Sequence, residues 1–175
     1  MASILKVNTI QDATNSNTAM SVDSNGRVTY PQQICFSATR MSGSGSVGVQ
    51  GTIVFNTVYI NKGSGFDTSN GRFTAPIAGI YEFQFQGFGA GNTSGQYLGS
   101  GTTFTAKLQK NGADYAGAIR AYTNVSATNY SPFHMSQYLD LDANDYVTIN
   151  ISSSYLYTAN DTNDAWNLFS GRLIG

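Results

Sequence analysis

The run Ile80-Tyr81-Glu82-Phe83-Gln84-Phe85-Gln86-Gly87-Phe88 alternates apolar and polar side chains with a period of two. A helix would scatter Tyr81, Phe83 and Phe85 around its axis. A strand places all three on one face and sends Glu82, Gln84 and Gln86 to the other. The apolar face then needs a second layer to cover it. Phe104-Thr105-Ala106-Lys107-Leu108 repeats the pattern, Tyr146, Val147, Ile149 and Ile151 continue it, and Leu168 to Ile174 reads as a further strand. Asn70-Gly71 and Lys110-Asn111-Gly112-Ala113 are hairpin signals, and Pro76, which has no backbone donor, marks a strand end. Gly/Ser-rich stretches at 42–48 and 89–101 read as loops. Nine or ten short strands in about 140 residues point to an all-β sandwich or jelly roll.

Composition narrows what such a sandwich does. Charged residues make up 11% of the chain, well under the roughly 25% of an ordinary soluble domain. Ser, Thr and Asn together number 53, so the polar surface is built from neutral hydrogen-bonding groups. A net charge of −1, with nine scattered Lys and Arg residues, leaves no basic face for nucleic acid. No apolar run approaches the ~20 residues of a membrane-spanning helix, and Met1-Ala2-Ser3-Ile4-Leu5-Lys6 lacks the apolar core of a signal peptide. The single cysteine, Cys35, excludes an intramolecular disulfide.

The first 32 residues follow a different logic. Ile4 to Ile10 is an extended run, Gln11 to Thr18 is polar, and Met20 to Val28 alternates around an Asn25-Gly26 turn. So small a segment cannot hold itself together in water, so it is expected to pack on another chain or on its own domain. The division expected is an arm over 1–32 and a globular domain over 33–175.

Phe55, Asn61, Phe66, Phe73, Gly79, Tyr81, Phe83 and Phe85 stand at the spacings of the signature of the globular head of complement component 1q. Phe66-Asp67, Gly71-Arg72-Phe73-Thr74-Ala75-Pro76, Leu108-Gln109-Lys110-Asn111-Gly112, Asp145-Tyr146-Val147 and Phe169-Ser170-Gly171-Arg172-Leu173-Ile174 resemble the same family. The resemblance implies a ten-stranded jelly-roll sandwich of the kind shared with tumour necrosis factor. It also implies a tight homotrimer and ligand binding through exposed loops and faces, without chemistry. Two departures stand out: the collagen-like stalk of animal members is missing, and Asn144 replaces the usual glycine before Asp145. Asn tolerates the left-handed conformation that glycine would supply. The arm, through Ser3-Ile4-Leu5-Lys6-Val7-Asn8-Thr9-Ile10-Gln11 and Ala19 to Val28, resembles the opening of tail-fibre and structural proteins of marine and cyanobacterial phages.

Residue types that carry chemistry are sparse. His134 is the only histidine, with no nucleophile motif beside it, and reads as a surface or satisfied side chain. Asp140 and Asp142 fall opposite Leu139 and Leu141, on an outer face; with Asp145 they are read as solvated carboxylates, calcium being the alternative. Cys35, between Ile34 and Phe36, is expected to be a buried, inert thiol. The Asn-X-Ser/Thr triplets at Asn92, Asn124, Asn129, Asn150 and Asn160 are frequent by chance in a chain this rich in those residues. Tyr97, Tyr115, Tyr122, Tyr130, Tyr155 and Tyr157 lie in or beside Gly/Asn/Ser/Thr-rich segments. Tyrosine offers an amphipathic ring at low entropic cost, so these six are candidates for surface recognition, with packing between subunits as the alternative.

The expected function is therefore non-enzymatic: a trimeric protein on the virion surface of a tailed phage, a short tail fibre or host-adsorption tip. It needs no cofactor. Its arm contacts other virion proteins, and its head faces a host receptor or glycan. A capsid decoration protein and a secreted complement-like ligand-binding or lectin module are the alternatives.

Overall fold

A computed structural model describes residues 6–41, 47–95, 98–99, 101–115, 119–122, 131–158 and 166–175, with the backbone alone over 119–122. The described residues hold strands and no helix, and so no helix long and apolar enough to cross a membrane. The chain divides into two compact units, Met1–Gln33 and Ile34–Gly175.

The smaller unit is a three-stranded antiparallel sheet of β1 (Thr9–Gln11), β2 (Thr18–Val22) and β3 (Val28–Thr29). Aspartates close both of its turns. Asp12 accepts from the backbone N–H of Thr14 and Asn15, and Asp23 from those of Asn25 and Arg27. These are the side-chain turns that Asp favours, and Gly26 supplies the positive φ of 78° that completes the second. None of the unit's described residues is buried.

The larger unit contains β4 (Cys35–Thr39), β5 (Val47–Thr52), β6 (Thr57–Lys62), β7 (Phe66–Asp67), β8 (Arg72–Thr74), β9 (Gly79–Ala90), β10 (Thr103–Lys110), β11 (Ala113–Asp114), β12 (Ile119–Tyr122), β13 (Ser131–Leu141), β14 (Tyr146–Thr158) and β15 (Leu168–Leu173). Two of these twelve, β7 and β11, are two-residue pairs. All pairing is antiparallel. One layer runs β6-β4-β15-β9-β13; the other has β14 at its centre, flanked by β10 on one side and by β5 and β8 on the other. The layers join where Tyr155 and Leu156 of β14 meet Ala90 and Gly89 of β9.

The alternation predicted for residues 80–88 is realised. Tyr81, Phe83 and Phe85 are fully buried and meet Val147, Ile149, Ile151 and Leu108 from the facing layer in one core. Phe36 stacks on Phe66 at 4.7 Å and on Phe73 at 5.0 Å, and takes Phe169 edge-on at 4.9 Å; Phe133 bridges Phe85 and Phe104 at 4.9 and 4.6 Å. Each buried ring contributes about 1.5–3 kcal/mol, and a well-placed ring pair adds about 0.5–1.5 kcal/mol. Packing this dense needs a gap in the strand beneath it. At Gly171 an added Cβ would lie 2.7 Å from ring atoms of both Phe36 and Phe83. The turn chemistry also holds: Asn111 and Gly112 take φ of 53° and 79° between β10 and β11, and Asn144 takes 75°.

Cys35 departs from expectation. It is half-buried, because Phe36 and Ala38 occupy the inward phase of β4 and send Cys35 and Ser37 to the outer side.

Candidate assembly face

The outward side of the β6-β4-β15-β9-β13 layer is organised in cross-strand rows. Residues directly opposite on antiparallel strands point to the same face. One row is therefore Tyr138–Glu82–Arg172–Cys35–Lys62, and the next is Ser136–Gln84–Ser170–Ser37–Ile60. Asp140–Ile80 lies below them, and His134–Gln86–Leu168 above.

Charge is confined within these rows. Arg172 donates to Glu82 from Nε and from Nη2, each at 2.8 Å, so the two central charges cancel. Gln84 reaches Glu82 at 3.4 Å, and the surrounding Ser37, Ser136 and Ser170 are neutral. A shallow depression of about 320 Å³ opens here, lined by Cys35, Ser37, Ile60, Glu82, Gln84 and Arg172.

Large apolar side chains frame the depression. Tyr138 is 63% and Tyr59 55% exposed, with Ile60 and Ile80 exposed beside them. Tyr59 is the extra residue of a bulge: Ser37 opposes Ile60 and Ala38 opposes Val58, so Tyr59 has no opposite number. A bulge re-aims side chains in this way, and here both Tyr59 and Ile60 reach solvent. Further along the same face, Gln86, Phe88, Pro132 and Trp166 border a second depression of about 220 Å³, with Phe88 and Trp166 edge-to-face at 5.6 Å.

The carboxylates expected outside lie outside. Asp140 and Asp142 are exposed opposite buried Leu139 and Leu141. Asp145 accepts from Lys110 Nζ at 2.8 Å, from Asn111 Nδ2 at 2.7 Å and from the Asp142 N–H at 2.9 Å. These donors, Lys110 first, hold its carboxyl down at about 2 from an ordinary 3.8. Lys110, drawn chiefly by Asp145, is raised in turn. Asp145 is thus committed to a brace between the β10–β11 turn and the start of β14. Among the described residues no three His, Cys, Asp or Glu side chains gather as a metal site. His134 is exposed on β13, opposite Gln86.

The eight signature residues serve the core and its edges. Phe55, Phe66, Phe73, Tyr81, Phe83 and Phe85 are buried. Asn61 clasps Phe66 by donating to its carbonyl and accepting from its N–H. Tyr81 donates its hydroxyl to the Ile77 carbonyl, and burial raises its pKa. A Cβ at Gly79 would meet Leu173 and the Gly175 carbonyl at 2.9 Å.

The candidate tyrosines among the described residues lie apart in the fold. Tyr115 is exposed just after β11 and Tyr155 is half-buried on β14. Tyr122 lies in β12 opposite Thr103, its side chain outside the described part; Tyr97 and Tyr130 are outside the described residues, as are Asn124, Asn129 and Asn160. Tyr157 is a correction: it is 5% exposed and packs edge-on against Trp166 at 5.4 Å, so it is a packing residue and not a surface one. The exposed residues that sequence reasoning missed are Tyr59, Ile60, Ile80 and Tyr138. Ile80 and Tyr138 carried a signal, since each stands in the outward phase of its own alternation.

The family model of the C1q domain matches residues 35–174. Among solved structures, the globular domain of a zebrafish complement 1qA protein is similar at a TM-score of 0.58 and 20% identity, covering 81% of this chain and 98% of that one. The structure of Eiger TNF from S. frugiperda is similar at a TM-score of 0.54 and 14% identity, covering 82% of this chain and 94% of that one.

Proposed function

Since the chain belongs to the C1q domain family, we propose that it is a non-catalytic ligand-binding module working as a homotrimer closed over the outward face of β6-β4-β15-β9-β13. One observation carries this reading. Tyr59, Ile60, Ile80 and Tyr138 stand exposed on a sheet whose other side is already filled by the core. Exposed apolar side chains at both edges of one face, Tyr138 and Ile80 on β13 and β9 and Tyr59 and Ile60 on β6, mark that face as an interaction surface. Neutral serines and glutamines and the internally cancelled Glu82–Arg172 pair fill the space between them, leaving Lys62 and Asp140 at the margins as the charges a like copy would meet. Light scattering at micromolar concentration is expected to give three chain masses. Tyr138→Asp with Ile60→Asp is expected to give folded monomers. A wild-type chain that scatters as a monomer removes the reading.

We place this trimer on the virion surface of a tailed phage, as a short tail fibre or host-adsorption tip. The arm would attach it to other virion proteins, and Tyr115 with the loops around it would be offered to a host receptor or glycan. The support is the arm's likeness to phage tail-fibre openings and a surface built from neutral polar groups. Quantitative mass spectrometry of purified particles tests the placement. A few trimers per particle are expected; copies in proportion to capsid subunits would make it a decoration protein. A chain secreted from cells and absent from particles would favour the complement-like module.

A further inference from the structure

The small sheet of Met1–Gln33 has two unlike faces. Ile10 opposes Met20, Val22 opposes Val28, and Met20 and Val22 are two residues apart, so these four share one side. Thr9 opposes Ser21, which opposes Thr29, and the Ser21 and Thr29 hydroxyls are hydrogen-bonded at 2.7 Å. The second face is thus a hydroxyl ladder that satisfies itself beside water. The first is apolar apart from Thr18 at its end, yet Ile10 and Val28 are 44% and 46% exposed, and Tyr30 just beyond β3 is more exposed still.

We infer that this apolar face is an interface between copies of the chain: the three sheets of one trimer pack Ile10, Met20, Val22 and Val28 against one another. This rests on the trimeric reading of the larger unit. Three arguments select a like copy as the occupant. The first is area: four apolar side chains on three short strands cannot stabilise a sheet alone, so the face needs a complement. The second is connectivity. β3 ends at Thr29 and β4 begins at Cys35, a tether spanning at most about 20 Å. Trimeric heads would therefore hold three such sheets at millimolar effective concentration. The third is charge. Asp12, Asp23 and Arg27 sit in the turns, with Arg27 paired to Asp23 at 2.6 Å, so identical faces meet without like charges opposed.

The test uses the full chain with Cys35→Ser and a single new thiol, Val28→Cys or Thr29→Cys, oxidised mildly and run on a non-reducing denaturing gel. Val28→Cys is expected to form the interchain disulfide at least roughly tenfold faster than Thr29→Cys, because only its face brings three thiols together. Equal rates, a faster Thr29→Cys or no interchain product at position 28 overturns the inference. Light scattering before oxidation separates the two claims: a monomer sinks the trimeric reading, whereas a trimer without the position-28 bond sinks only this one. A second variant, Val28→Asp, should expose the bond after Arg27 to trypsin while the trimer mass and the melting of the larger unit stay unchanged. A cleavage rate equal to wild type overturns the inference as well.

Discussion

Both units of this chain are antiparallel sheets with one apolar face, but only one of them covers that face from its own residues. In Ile34–Gly175 the inward positions of β9, β13 and β15 carry fully buried rings and leucines, met by a second layer. In Met1–Gln33 the corresponding side chains, Ile10, Met20, Val22 and Val28, remain half-buried or exposed. The contrast shows that alternation makes a strand, while a core needs a second alternating layer at the right distance in space. The large unit holds its stability internally; the small one depends on what covers it.

The largest effect should come from the aromatic core. Phe73→Ala or Tyr81→Ala is expected to cost about 3–5 kcal/mol, read as a lowered thermal midpoint. Tyr81 adds the loss of its hydrogen bond to the Ile77 carbonyl. A midpoint unmoved by either change would mean that the rings do not hold the larger unit together. Next comes overpacking: Gly171→Ala drives a methyl into Phe36 and Phe83 and is expected to cost about 1–3 kcal/mol. Full wild-type stability in that variant would show the two rings to be loosely held.

A smaller effect comes from the Asp145 brace. Its carboxyl lies below the ordinary value, so its stabilisation is complete above 3.8 and is lost as pH falls through about 2. The stability gap between wild type and Asp145→Asn should therefore narrow between those pH values and stay flat above them. Denaturant melts across that range check it, and a gap independent of pH would remove the carboxylate from the account. The smallest expected effect is from deleting residues 1–33: the melting free energy of the remainder should shift by no more than about 0.5 kcal/mol, as for changes away from a core. Failure of the shortened chain to fold would abolish the comparison, because the small unit would then be part of the core.

Much of this fold was legible in the sequence because its strands are long and keep phase. Residues 80–88 and the inward leucines of β13 could be counted directly, and Asn111-Gly112 announced its hairpin. Tyr157 was misjudged for a physical reason. β14 runs on past Ile151 through Ser154, whose φ is 58°, and its register with β5 shifts between Ile151 and Leu156. Tyr157 therefore lies within β14, on the inward side that alternation from Ile149 gives it, and not in the loop its Ser- and Thr-rich neighbours suggest; Trp166, nine residues on, packs edge-on against its ring. The rows of the assembly face were hidden for another reason. Period two says which way Glu82 points, but not that Arg172 and Cys35 lie beside it, because those neighbours come from opposite ends of the domain.

That long-range pairing carries a kinetic consequence. β15 lies between β4 and β9, with Arg172 opposite both Cys35 and Glu82. The layer can close only after the ribosome has delivered residues near 170, so β4 waits with its partner edge unfilled until β15 has been made. Topologies governed by such distant contacts fold slowly and expose unpaired edges while they wait. For this chain the hazardous interval is synthesis itself, and yield should depend on how quickly the last strand arrives.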